Sequence, residues 1–162
     1  MKPAKKVLSL SELAAELQRA RAGGRTIALA NGIFDLLHVG HLRYLEGARL
    51  LADILVVAVN TDESARLNKG PGRPLVPAAE RAELIAGLDC TDYVVLFGEK
   101  DVRKVIRVLR PDVQVKGTDY QIDTVPEREE VERYGGRVAI AGDPKHHSTS
   151  ALLERLSALA SR

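Results

Sequence analysis

Several classes of protein are excluded by what this chain lacks. It has one cysteine, Cys90, so neither an internal disulfide nor a cysteine-based zinc site can form, and a reducing cytoplasmic compartment is expected. Tryptophan is absent and aromatics make up 4% of residues, which removes the stacking platforms of single-strand nucleic-acid binders. No stretch approaches the roughly 18 consecutive apolar residues of a membrane span. The opening Met1-Lys2-Pro3-Ala4-Lys5-Lys6 leads into an amphipathic segment rather than the apolar core of a signal peptide, so neither export nor insertion is expected. Strong charge of one sign is lacking too. The net +2 combines six Lys/Arg against two Glu in residues 1–25 with 18 basic against 20 acidic residues in the rest, and no broad nucleic-acid surface follows.

What is present suits one soluble domain. The 162 residues are 45% apolar and 28% charged, enough to bury a core and far from the composition of disorder. Ser9 and Glu12 have capping-box spacing, and Leu10, Leu13, Ala14 and Leu17 recur at helical intervals until Gly23-Gly24. Residues 1–25 therefore read as an N-terminal helical extension and 26–162 as the main domain. Five apolar runs follow: Thr26–Ala30, Ile54–Val59, Tyr93–Phe97, Val113–Val115 and Val138–Ala141. Most are continuously apolar, as in parallel strands covered on both faces. They alternate with helical stretches at His41–Ala52, Ala78–Leu88, Asp101–Leu109, Pro126–Tyr134 and Thr149–Ala160. This pattern predicts an α/β fold with a Rossmann-like, doubly wound, parallel five-stranded sheet.

Ligands of such sheets sit outside the carboxyl ends of the strands, and the unusual residues follow those ends. Asn31 to His41 come after the first sheet strand, Asn60-Thr61-Asp62 after the second, Lys116 to Tyr120 after the fourth, and His146 to Ser150 after the fifth. A longer loop, Asn68 to Pro74, carries glycine and proline. His38 and His41 lie three residues apart at a helix start, where unpaired amides and the helix dipole favour phosphate. By themselves these histidines also suit packing or an i, i+3 metal pair.

Asn31-Gly32-Ile33-Phe34-Asp35-Leu36-Leu37-His38-Val39-Gly40-His41 resembles the first signature of the cytidylyltransferase-like nucleotidyltransferases, which carry H-x-G-H. Val59–Asp62, Lys69–Pro74, Lys116–Tyr120, Tyr134-Gly135-Gly136 and Ser148-Thr149-Ser150 resemble, in that order, the heptose 1-phosphate adenylyltransferases of ADP-heptose synthesis. The resemblance runs from about Thr26 to Leu156. It departs at Thr118, where glycine is common, and at His146, where glycine usually precedes the Ser-Thr pair.

The resemblance implies transfer of AMP from ATP to D-glycero-D-manno-heptose 1-phosphate, with Mg²⁺ carried on the nucleotide phosphates and no metal held by the protein. It implies catalytic roles for His38, His41 and Lys69. Nucleotide contacts are implied for Asn31, Gly32, Phe34, Gly40, Lys116, Gly117, Asp119, Ser148, Thr149 and Ser150, and acceptor contacts for Asp35, Asn60, Asp62 and Arg73. The Ser148–Ser150 hydroxyls also suit a helix cap, and Arg73 also suits a structural role. The partners implied are ATP and a sugar 1-phosphate, without nucleic acid or membrane; a homodimer is compatible with the sequence. Transfer of CMP to glycerol 3-phosphate and a catalytically silent nucleotide-binding module remain as alternatives. The absence of G-x-G-x-x-G after the first strand disfavours a dinucleotide-binding domain.

Overall fold

The computed structural model describes residues 2–144 and 149–160. Near the N-terminus, Ser9 and Glu12 form the expected capping box: the Glu12 amide donates to Ser9 Oγ, and the Ser9 amide donates to Glu12 Oε2 at 2.9 Å. The helix they start, α1 (Leu10–Ala22), buries Leu13 and Leu17 completely against the sheet. Just ahead of it, Val7 makes a parallel bridge to Val94, so this segment is tied into the main body of the fold.

Five parallel strands follow: β1 (Ile27–Gly32), β2 (Ile54–Asn60), β3 (Tyr93–Phe97), β4 (Val113–Gly117) and β5 (Arg137–Ala141). Their order across the sheet is β3-β2-β1-β4-β5. The chain moves outward from β1 to β3, then returns to the other side of β1 to lay down β4. A topological switch therefore lies between β1 and β4, and the crevice outside their carboxyl ends is the expected ligand position. The expected α/β class and parallel sheet are observed.

Strand sequence explains the layering. Every residue of β2 is buried, because Ile54, Val56 and Ala58 face one side of the sheet while Leu55, Val57 and Val59 face the other. The first side packs beneath α1, α5 (Arg103–Leu109) and α6 (Arg128–Glu132); the second packs beneath α2 (Val39–Arg49) and α4 (Ala78–Gly87). The last helix, α7 (Thr149–Ala160), matches its expected range.

One helix escaped the sequence reading. Asp62–Lys69 forms α3, so β2 and β3 are joined by two helices, and Lys69 closes a helix instead of opening a loop. Ala65 and Leu67 are its only strongly apolar residues, too few for a periodic signal. Its start is set by the Thr61 side chain, which accepts from the Ser64 amide, and by Asp62 and Glu63 in the first turn. Element ends also move. The first helix of the main domain begins at Val39 rather than His41, and the helix expected at Pro126–Tyr134 shortens to Arg128–Glu132.

The Tyr134-Gly135-Gly136 stretch enters β5 at its amino end, away from the crevice. Gly135 has φ +90°, and a Cβ on Gly136 would come within 2.9 Å of the Pro111 carbonyl and the Val131 side chain. These glycines make a tight turn, so the stretch carries a structural requirement and no contact with the main cavity.

Candidate nucleotide-transfer site

A cavity of about 890 Å³ opens at the carboxyl ends of the strands, across the switch. Its centre is built by the turn after β1. A side chain on Gly32 would meet the Phe34 ring at 3.0 Å, and Phe34 itself adopts φ +52°, an unusual conformation for a bulky residue. The turn presents the Phe34 ring edge to His41, with centroids 5.3 Å apart. His38 occupies the N-cap of α2 with extended backbone and no side-chain cap, and its ring stacks on His41 at 3.8 Å. The i, i+3 spacing thus puts both imidazoles side by side over a helix N-terminus.

Burial, and secondarily the neighbouring His38, push the His41 pKa down to about 4. His41 is therefore neutral at pH 7. Its Nδ1 is buried without a hydrogen-bond partner, so the ring carries an unsatisfied polar atom.

The floor between β1 and β4 is a polar network that leaves only Gln114 Oε1 of its amide groups without a partner among the described residues. Asn31 Oδ1 accepts from Gln114 Nε2 and from Lys116 Nζ, each at 3.0 Å. Lys116 also pairs with Glu127 at 3.1 Å, both side chains being more than nine-tenths buried, and its ammonium lies 5.4 Å from the Tyr120 ring centre. Gly117 leaves the space into which the Asp119 carboxylate folds. The Tyr44 hydroxyl of α2 donates to the Val115 carbonyl at 2.8 Å, and burial raises its pKa well above the ordinary phenol value.

The opposite side is formed by α3, the loop after it and the residues after β3. Asp35 is buried; its Oδ1 accepts from the amides of Leu75 and Val76 at 2.7 and 2.9 Å, and its Oδ2 pairs with Arg73 at 2.9 Å. Asn60 donates to Ser64 Oγ at 2.8 Å. Asn68 donates to the carbonyls of Ser64 and Lys100, which sets Lys100 beside the end of α3.

The expected site residues thus largely converge. His38, His41, Lys69, Asn31, Gly32, Phe34, Gly40, Lys116, Gly117, Asp119, Asp35, Asn60, Arg73 and Thr149 all line the cavity. Asp62 does not; it turns away to pair with Arg81 at 2.8 Å. Thr149 donates to the Leu36 carbonyl at 3.4 Å, joining the start of α7 to the histidine turn. Ser148 and His146 lie outside the described residues, as does the side chain of Ser150.

Sequence reading passed over Tyr44, Lys100, Glu127 and Arg81. Glu127 and Arg81 fall between the quoted motifs, on stretches that read only as helix, so only their burial against charged partners marks them. Among the described residues, the cavity cations Arg43, Arg73, Arg103 and Lys116 each pair with a carboxylate, whereas Lys69 and Lys100 have no acidic partner.

The sequence pattern of one family, described as cytidylyltransferase-like, matches residues 29–157. The chain belongs to that family. It is 50% identical over 93% of its length to the bifunctional protein HldE of Citrifermentans bemidjiense, 48% identical over 87% to that of Syntrophotalea carbinolica, and 46% identical over 93% to that of Geobacter sulfurreducens. The chain spans about a third of the length of these relatives: 31%, 28% and 31%. Among solved structures, the lipopolysaccharide core biosynthesis protein from Thermoplasma volcanium superposes with a TM-score of 0.61 at 33% identity, covering 72% of this chain and 93% of that one.

Two further facts bound the chemistry. No helix of the described residues is long and apolar enough to cross a membrane. Among the described residues no group of three His, Cys, Asp or Glu is placed to hold a metal ion, and the cavity carboxylates of Asp35, Asp101, Glu127 and Asp143 are paired with cations.

Proposed function

We propose that the chain transfers AMP from ATP to D-glycero-D-manno-heptose 1-phosphate, producing ADP-heptose and pyrophosphate for lipopolysaccharide core synthesis. The observation that carries this reading is the identity of 46–50% over most of the chain to proteins named bifunctional HldE, combined with an H-x-G-H turn at the topological switch. Those relatives are named for two activities, and the histidine turn lies in the third that this chain shares. The proposal therefore concerns the nucleotidyl-transfer activity alone.

In the proposed reaction an oxygen of the sugar phosphate attacks the α-phosphorus. The new phosphorus–oxygen bond forms as the bond to the β-phosphate bridging oxygen breaks, and pyrophosphate leaves with that electron pair. The attacking oxygen is already anionic at neutral pH, so no general base is required. The obstacles are repulsion between anions and the charge that gathers on pyrophosphate, and both are met by positioning and preorganised donors. We assign His38 and His41 to donate to the reacting phosphates, His41 as a neutral ring, above the N-terminus of α2. Lys69 supplies a compact positive charge from the end of α3. Mg²⁺ enters with the triphosphate as part of the substrate.

Asn31, Gly32, Phe34, Gly40, Lys116, Gly117 and Asp119 form the nucleotide side of this reading, together with Ser148, Thr149 and Ser150 at the start of α7. Asn60 serves the acceptor side. Asp35 and Arg73, paired with each other, shape that side rather than grip the phosphate. Both substrates are soluble cytoplasmic metabolites, which suits a chain with a single cysteine.

The test is pyrophosphate release from four nucleoside triphosphates, each offered with heptose 1-phosphate, glycerol 3-phosphate and other small phosphates. ATP with heptose 1-phosphate is expected to be the fastest pair. Preference for CTP with glycerol 3-phosphate overturns the substrate assignment, and release with no pair overturns the enzymatic reading.

A further inference from the structure

Arg81, on the first turns of α4, has no exposed surface and is the largest side chain so enclosed. A buried guanidinium is expensive unless its donors and charge are matched. Here the matches come from separate parts of the chain: Nε donates to the Val76 carbonyl at 2.8 Å, Nη1 to the Ile33 carbonyl, and Nη2 to Asp62 Oδ1 at 2.8 Å. Ile33 belongs to the turn that leads into His38; Val76 ends the loop that follows Lys69; Asp62 starts α3, the helix that ends in Lys69. Asp35 clasps the same two segments from the other side, through the Leu75 and Val76 amides and Arg73.

Between these anchors the Gly70 amide closes α3 on the Arg66 carbonyl at 2.8 Å, and the crest beyond it is open. Gly70 and Gly72 have φ +88° and +80°, and nothing lies within 4 Å of where their side chains would be. The segment after Lys69 is therefore pinned at one end and free at its crest, with the pinned end fastened to the histidine turn.

We propose that Arg81 is a positioning residue for the adenylyl transfer: its guanidinium holds both ends of the Lys69 segment in the same frame as His38 and His41. This rests on the proposed function. A hydrophobic side chain of similar volume could fill the same space with comparable stability, but it could not bond three acceptors on three segments. The planar fork supplies that, and a lysine ammonium supplies it only in part.

The test is a double-mutant cycle. Kinetics are measured for the wild type, Arg81→Lys, Arg81→Met, Lys69→Ala and the two double variants, with thermal unfolding of each. Arg81→Met is expected to lower kcat by up to about tenfold, no more than removal of Lys69 itself, as a small misplacement of reacting groups does. The KM for ATP should stay near the wild-type value. Arg81→Lys should recover part of the rate, and each double variant should be no slower than Lys69→Ala alone, because Arg81 acts through the lysine. Multiplying losses, an unchanged kcat, or an effect confined to KM overturns the proposal. Where Arg81→Met fails to fold, the Arg81→Lys cycle decides.

A readout independent of turnover separates this inference from the functional one. Trypsin cleavage after Lys69, at a temperature where both proteins are folded, should be faster in Arg81→Lys than in wild type. Equal cleavage overturns the positioning role even in a fully active enzyme. A wild type without adenylyl transfer but with the accelerated cleavage would sink the function and leave the restraint in place.

Discussion

The floor and the rim of the cavity are built on opposite principles. On the floor, the buried Lys116, Glu127 and Gln114 and the half-buried Asn31 are matched to one another across β1, β4 and the turn before α6. On the rim, Lys69 and Lys100 stand exposed, and among the described residues neither has a carboxylate to neutralise it. A floor of largely paired, buried groups is ordered before substrate arrives and selects by shape and edge. A rim of unpaired cations is adaptable and answers to negative charge. The histidine pair lies between the two, half-buried, with His41 held neutral by its burial. In the proposed reaction, recognition and charge neutralisation fall to different segments of the chain, which makes them separable by mutation.

The largest effect is expected from breaking the floor. Glu127→Ala leaves the Lys116 ammonium buried without its counter-charge, and removal of one partner of a buried pair costs about 3–5 kcal/mol. Denaturant unfolding measures this; a loss below about 1 kcal/mol would show that the floor is not held by the pair. His41→Ala, at the boundary, should lower kcat by about two orders of magnitude while the fold persists, the scale of removing one preorganised donor. Near-normal turnover in a folded variant removes the histidine from the reaction centre.

On the rim, Lys69→Ala should reduce kcat about tenfold, the worth of one charge-assisted hydrogen bond, with ATP affinity largely retained. If ATP binding falls and saturated turnover does not, the lysine acts in the ground state and the contrast with the floor is lost. Lys100 is the mildest case: Lys100→Ala should raise the acceptor KM by about two- to fivefold, an effect that shrinks with added salt because the side chain is exposed.

Acid should affect the boundary by another route. His41 is held near pKa 4 in the folded chain against about 6.5 when unfolded. Between those values the unfolded state binds more protons, so stability present above about pH 6.5 declines as pH falls toward 4. Urea unfolding at pH 7 and pH 5 should show a larger acid loss for the wild type than for His41→Gln; equal losses would place the acid sensitivity elsewhere.

Much of the fold was legible because its signals are local. The Ser9–Glu12 box and the apolar run Ile54–Val59 mark a helix start and a buried strand from neighbouring residues alone, and both stand as read. α3 was missed because Thr61 and its short polar helix leave no apolar period, and that moved Lys69 from a loop to a helix end. Tyr134-Gly135-Gly136 shows the converse: a motif readable in the sequence whose task, the turn into β5, lies away from the cavity.

The amino-acid sequence by itself determined the parallel α/β architecture and the convergence of the histidine turn with the Lys69 and Lys116 segments. Strand burial on both faces and the position of polar loops after strand ends are properties of short stretches. The tertiary structure alone decided which charges are free. Asp62 is drawn to Arg81, Arg73 to Asp35 and Lys116 to Glu127, while Lys69 and Lys100 find no carboxylate among the described residues. The reason is physical: a charge removed from water must find its partner in space, and those partners sit 11 to 38 residues away along the chain.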